Sequence, residues 1–175
     1  MAARLSARLA ARLLFALCAL LPLTLGAAPA GTLPLSAFPR ERIAVETRAS
    51  IRRHLFEAWR AETPHTREQG FMFVEDREMR ADQAMIFVYE PAQRVAMWMK
   101  NTLLPLDMLF VDARGCIVTI RERAQPGSLA TIDSKVPVVL VVELKAGAVE
   151  QLAIKPGDRV VRIDAGWPRE SSACR

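Results

Sequence analysis

The sequence predicts one small, mainly β domain, a sandwich or a partly closed barrel with two short helices, placed behind an export signal. Eight short apolar runs, several alternating with period two, lie between Arg42 and Ile163 and are separated by turn residues. Helical patterning is confined to two stretches of one or two turns, so strands never alternate with long helices and parallel βαβ architectures are excluded. Setting aside the first 30 of the 175 residues leaves 145, close to the commonest size of a single domain. No internal repeat is present.

The amino terminus reads as a secretory signal peptide. Arg4, Arg8 and Arg12 precede an apolar run, Leu13 to Leu25, that holds Pro22 and is closed by Gly26. The run is shorter than the roughly 20 residues a spanning helix needs. Ala28 and Ala30 fit the small-residue cleavage pattern, which puts the cut after Ala30 and the product in the periplasm or outside the cell. The alternative is an uncleaved anchor in the inner membrane formed by residues 13–28, the only route by which a membrane becomes a partner. Cys18 lies inside the apolar run after Leu17, which does not suit a lipidation site. Removing Arg4, Arg8 and Arg12 from 24 basic residues leaves 21 against 19 acidic ones. Most of the net charge of +5 thus belongs to the leader, and nucleic acid is not expected as a partner.

Residues 31–40 hold Pro34 and Pro39 without periodicity and read as a linker to a domain over 41–166, with a loose tail over 167–175. Arg42 to Arg48 alternates as a strand, and a turn near Ala49 leads to a second, His54 to Ala61, giving a hairpin. Thr63-Pro64 is a helix start, Thr as N-cap and Pro at the first position, and Gly70 ends the helix. Phe71 to Val74 enters the core, and the charged stretch from Glu75 to Asp82 is a solvated loop. Met85 to Tyr89 is a buried strand, Glu90 to Gln93 a turn, and Val95 to Lys100 another strand. Ala113-Arg114-Gly115 joins strands over Asp107–Asp112 and Cys116–Glu122. Val136 to Leu144, the richest in β-branched residues, is a central strand. One or two helical turns over Ala148–Leu152 and a last strand, Arg159–Ile163, complete the domain.

After cleavage two cysteines remain, Cys116 and Cys174. An oxidising compartment permits a bridge between them, and two unpaired thiols fit the spacing equally well. His54 and His65 lie in different elements, and no cysteine or histidine pair has zinc-ligand spacing. Met97 and Met99, one strand period apart, are soft ligands suited to Cu(I) but serve equally as core fillers. Neither a nucleophile elbow nor a phosphate loop occurs. No cofactor, metal or catalytic residue is assigned.

The run from Trp98 to Phe110, WMKNTLLPLDMLF, resembles the signature of domain-of-unknown-function family 192. Further pieces follow in that family's order: Thr63-Pro64 with Arg67 to Met72, Met85 to Val88, Gly115 with Ile117-Val118, Ala124 with Pro126, Val142-Glu143-Leu144, and Gly157 to Val160. Ala84-Met85 stands where the family has Gly-Met, and Met97 where an aromatic is usual. The resemblance implies an antiparallel sandwich of jelly-roll type in proteins that are commonly exported or membrane-anchored. It implies no established activity.

The densest polar group lies within that signature. Trp98, Lys100, Asn101 and Asp107 are candidates to line a pocket in which an aromatic platform and convergent polar groups hold a small polar ligand. The competing expectation is a loop stapled by its own residues, Lys100 paired with Asp107 and Trp98 in the core. Arg67 is the fifth candidate, reaching Asp107 or Glu143. Glu143 lies in the most apolar strand, where an unpaired carboxylate is costly. It either faces solvent or pairs with a residue such as Arg67. The expected function is a non-catalytic envelope module that binds a small polar ligand, a glycan or a partner protein. The alternative is an enzyme centred on Lys100, Asn101 and Asp107.

Overall fold

The computed structural model describes residues 29–49, 51–168 and 174. Residues 1–28, which hold most of the expected signal peptide over 1–30, lie outside the described residues, as do 50, 169–173 and 175. Among the described residues, no helix is long and apolar enough to cross a membrane. The strands are β1 (Arg40–Thr47), β2 (Arg52–Ala61), β3 (Gln83–Gln93), β4 (Ala96–Met97), β5 (Leu106–Val111), β6 (Ile117–Ala124), β7 (Ile132–Asp133), β8 (Val138–Lys145) and β9 (Arg159–Arg162). The helices are α1 (Pro64–Gln69) and α2 (Ala148–Gln151).

Seven strands form one curled sheet in the order β6-β5-β8-β3-β2-β1-β9, and β4 with β7 makes a separate small ladder. The two ends of the large sheet meet at one corner. A bridge joins Cys116 to Arg159, Ile117 N–H donates to Asp158 O at 2.9 Å, and Val160 N–H donates to Gly115 O at 2.8 Å. The result is a partly closed barrel. Neighbours in the sheet are antiparallel except β2 and β3, which pair in parallel from Glu57–Gln83 to Ala61–Phe87. The crossover between those two carries α1 and a 3-10 turn, Asp76–Glu78. This parallel pair departs from the all-antiparallel sheet that the resemblance implies.

Both faces of the sheet are buried, which explains why its central strands read as continuous apolar runs rather than alternating ones. Ile43, Val45, Phe56, Ile86, Leu109 and Val142 form the core on one face, against α2. Trp59, Met85, Phe87, Met108, Phe110 and Val141 form a second core on the other. Phe71, Val74, Met97, Met99 and Leu104 cover that second face from the connecting segments.

Several local expectations need correction. Residues 31–39 do not hang free: Leu33 exchanges hydrogen bonds with the Gln69 side chain at 2.8 and 2.7 Å, and Phe38 is 3% exposed. Their prolines suppress periodicity, but Leu33, Leu35 and Phe38 supply the apolar contact. β3 runs through the expected turn at Glu90–Gln93. The strand expected over Val95–Lys100 shrinks to Ala96–Met97. Its alternation is real, since Val95, Met97 and Met99 are all buried, but Met99 N–H donates to Ser128 O of a loop. α1 forms as expected, with Thr63 accepting from Thr66 N–H and Pro64 at its start. At Gly70 a Cβ would come within 3.1 Å of the Phe87 ring, and φ is +49°. Only glycine lets the end of α1 lie that close to β3.

Cys116 and Cys174 are joined in a disulfide spanning 58 residues. It sits at the seam where β6 meets β9, and Cys174 O accepts from Arg48 Nη1 at 2.9 Å. Closing a loop of that length restrains the unfolded chain, so Cys174→Ser is expected to lower stability by about 2–4 kcal/mol. Urea unfolding of the variant beside the oxidised parent checks this. Equal midpoints would mean that the bridge contributes nothing.

Candidate functional site

The five candidate residues separate into two groups, because adjacent residues of a strand point to opposite faces. Leu106, Met108 and Phe110 of β5 belong to the second core, whereas Leu109 and Val111 belong to the first. Asp107 shares the face of Leu109. It is fully buried, Oδ1 accepting from Arg123 N–H at 2.8 Å and Oδ2 from Val149 N–H at 2.9 Å. Arg123 has a φ of +49° at the end of β6, and Val149 lies in the first turn of α2. Asp107 therefore fastens a strained strand end and a helix start to β5. Among the described residues no ion pair joins it to Lys100, and it does not join the other candidates.

Trp98, Lys100 and Arg67 do come together, on the opposite face. They line one cleft with the end of α1, Met97 and Glu143. Lys100 Nζ stands 5.0 Å above the Trp98 ring, and Trp98 is 41% exposed, so it is not the core residue of the stapled-loop expectation. A cation over an aromatic face is held by the ring quadrupole. Arg67 donates from Nη1 to Glu62 O and Val88 O, and its guanidinium lies 5.1 Å from the centre of the Tyr89 ring. Asn101 is at the edge: its φ of +57° turns the chain, its backbone O accepts from Phe73 N–H, and its side chain reaches only Met72 Sδ, at 3.9 Å.

Glu143 is the residue whose placement sequence reasoning missed. It neither faces solvent nor pairs with Arg67, whose donors are directed to backbone carbonyls. It is 4% exposed, and its cross-strand neighbours, Met85 on β3 and Met108 on β5, are fully buried. Its Oε2 is buried without a hydrogen-bond partner. Burial without a compensating charge pushes the carboxyl up from 4.5 to about 8, so it is neutral at pH 7. The neighbouring Tyr89 hydroxyl is likewise pushed up, to about 12, chiefly by burial, and sits 3.6 Å from Met97 Sδ. A signal was available. Glu143 has the strand parity of Val141, so it had to share that residue's core face.

The cleft encloses a cavity of about 20 Å³, room for one water-sized group. Its walls come from four stretches of the chain: Arg67 to Met72, Phe87 of β3, Met97 to Thr102, and Glu143. Each lies within or beside a segment that carries the family resemblance. Arg67 and Lys100 are cationic, Glu143 is a neutral donor, and Trp98 offers an aromatic edge. Among the described residues no group of three or more His, Cys, Asp or Glu side chains is arranged to hold a metal ion.

The structure is thus a mainly β protein, a partly closed barrel whose second core is covered by connecting segments. The chain belongs to the DUF192 family, described as Uncharacterized ACR, COG1430, whose profile matches residues 45–162. No curated protein matches the chain. Among solved structures it is similar to a protein of Sinorhizobium meliloti 1021 described as a candidate transcription regulator. Identity is 46% and the TM-score 0.68, over 72% of this chain and 95% of that one. It is also similar to a protein of unknown function from Novosphingobium aromaticivorans DSM 12444, at 32% identity and a TM-score of 0.68, over 77% and 92% of the two chains.

Proposed function

We propose that the domain is a non-catalytic binding module of the cell envelope, exported by its leader, that holds a small polar ligand in the cleft over Glu143. The observation that carries this is convergence: Arg67 to Met72, Phe87, and Met97 to Thr102 meet around the buried carboxyl of Glu143, whose Oε2 has no partner among the described residues. Leaving a buried polar atom unpaired costs about 1–3 kcal/mol, and a ligand supplying the missing hydrogen bond recovers that cost on binding. Only a hydroxyl-sized tip of the ligand fits the cavity, so its body lies at the mouth, along the exposed side of Trp98. An enzyme centred on Lys100, Asn101 and Asp107 has no such support, because Asp107 is committed to the other face. The description of the Sinorhizobium relative suggests DNA as a partner, but 21 basic against 19 acidic residues beyond residue 30 do not favour it.

Calorimetric titration of the domain with small polar compounds and envelope saccharides tests the proposal. A compound that binds the parent should bind Trp98→Ala at least about tenfold more weakly, which is the loss of roughly 1.4 kcal/mol expected for an aromatic platform. Trp98 is half exposed, so this variant should keep its fold. Binding that ignores Trp98→Ala, or no binding at all, would count against the cleft. Fractionation of cells expressing the full chain tests export: a product lacking about the first 30 residues should appear in the periplasm.

A further inference from the structure

We infer that the ligand of this cleft carries a carboxylate, one oxygen of which enters the cavity and accepts a hydrogen bond from the Glu143 carboxyl while the other meets Lys100 at the mouth. Resting on the cleft as the binding site, this adds the chemical class of what binds there. Three features select it. The first is size: a cavity of about 20 Å³ takes one oxygen or hydroxyl group and excludes a ring. The second is charge. The charged and titratable groups around Glu143 are Arg67 and Glu68 from α1, Tyr89 from β3, Lys100 from the segment after β4, and Lys145 on β8. Lys145 is turned away to Asp76, with which it pairs at 3.0 Å. Arg67 gives Nη1 to two backbone oxygens and lays its guanidinium against the Tyr89 ring. Lys100 lies over Trp98 and, among the described residues, has no carboxylate partner. Its ammonium is placed to receive an anion, on a lining where the exposed Glu68 offsets one of the two cations.

The third feature is the donor. A neutral carboxyl can donate its O–H to a carboxylate oxygen, and two carboxyl groups held together share one proton in just this way. In a site shielded from water such a charge-assisted bond is short and strong. An ionised Glu143 would instead repel the ligand. Recognition is therefore coupled to a proton: the complex needs Glu143 protonated and the ligand ionised. With Glu143 changing state near pH 8, affinity for a carboxylate should fall about tenfold between pH 7 and pH 9.

The experiment compares acetate with acetamide, its neutral isostere, and with glycerol, following the Trp98 indole N–H and backbone resonances of residues 98–102 by NMR at constant ionic strength from pH 6 to pH 9. Acetate should shift these resonances with an affinity that declines as the pH rises, and acetamide should shift them far less. In Glu143→Gln the amide keeps a donor of similar size, so acetate binding should persist and lose its pH dependence. Acetate binding by the parent that does not change with pH overturns the inference, and this needs no variant. So does binding of glycerol or acetamide without acetate, although the cleft would then survive as a site. If none of the three moves the resonances, the inference fails, and the wider compound titration decides whether the cleft fails with it.

Discussion

Replacing Asp107 with alanine should lower the unfolding free energy by about 4 kcal/mol, a large fraction of the stability of a domain this size. The carboxylate is fully buried and accepts two backbone N–H groups, from Arg123 and Val149. Alanine leaves both buried donors without their acceptor, at about 1–3 kcal/mol each. The effect should propagate, because Arg123 sits at a positive φ that its neighbours must hold in place and Val149 belongs to the single-turn helix α2 that packs against the first core. Asp107→Asn keeps one acceptor oxygen and should lose about half as much. Urea unfolding of the three proteins measures the series, and ligand binding at the cleft should be unchanged wherever the variant is folded. A loss below about 1 kcal/mol for Asp107→Ala would contradict the bracing role.

Glu143 should make stability fall as pH rises, the reverse of the usual carboxylate. Its pKa is about 8 in the folded protein against an ordinary 4.5. Below pH 4.5 both states hold the proton and the group is neutral in each. Between pH 4.5 and pH 8 the unfolded chain releases the proton while the folded chain keeps it, so stability declines by about 1.4 kcal/mol per pH unit. Above pH 8 both states are ionised and the decline stops. The total is on the order of 5 kcal/mol. Other groups titrate over the same range, so the clean observable is a difference. Glu143→Met, placed between Met85 and Met108, should be more stable than the parent at pH 8, and the advantage should shrink towards pH 4 to the cost of the unpaired neutral carboxyl, about 1–3 kcal/mol. Guanidinium unfolding at several pH values reads this directly. A constant difference across the range would show that Glu143 is not held neutral.

Much of the fold was legible because its strands obey elementary patterning. The β1–β2 hairpin alternates, Thr63-Pro64 and Gly70 mark both ends of α1, and the β8 run is too apolar for anything but a strand buried on both faces. What was not legible depends on partners distant in sequence. The two-residue strand β7 has no pattern of its own, and the alternation from Val95 to Met99 does not show that only Ala96 and Met97 pair, which depends on β7 lying beside them. The parallel pairing of β2 with β3 is set by the whole crossover, not by either strand. The density of polar residues within one short run named Trp98, Lys100 and Asp107 as one cluster, but the loop between them ends in β5, whose alternation puts Asp107 on the other face of the sheet. Arg67 and Glu143 show the opposite case. Proximity in the fold was foreseen, yet the ion pair was not formed, because Arg67 finds Val88 O, Glu62 O and the Tyr89 ring instead. No local rule tells a guanidinium to prefer two carbonyls to a carboxylate.

The central claim is that a neutral carboxyl waits beneath the Trp98–Lys100 cleft. NMR titration of the Glu143 side-chain carbonyl carbon, in protein labelled at glutamate and assigned by Glu143→Gln, measures its protonation directly. The expected result is a midpoint raised to about 8 in the free protein, moving upward when a carboxylate occupies the cleft. A Glu143 carboxyl that titrates near 4.5 and ignores such a ligand would contradict both the buried neutral state and the site built on it.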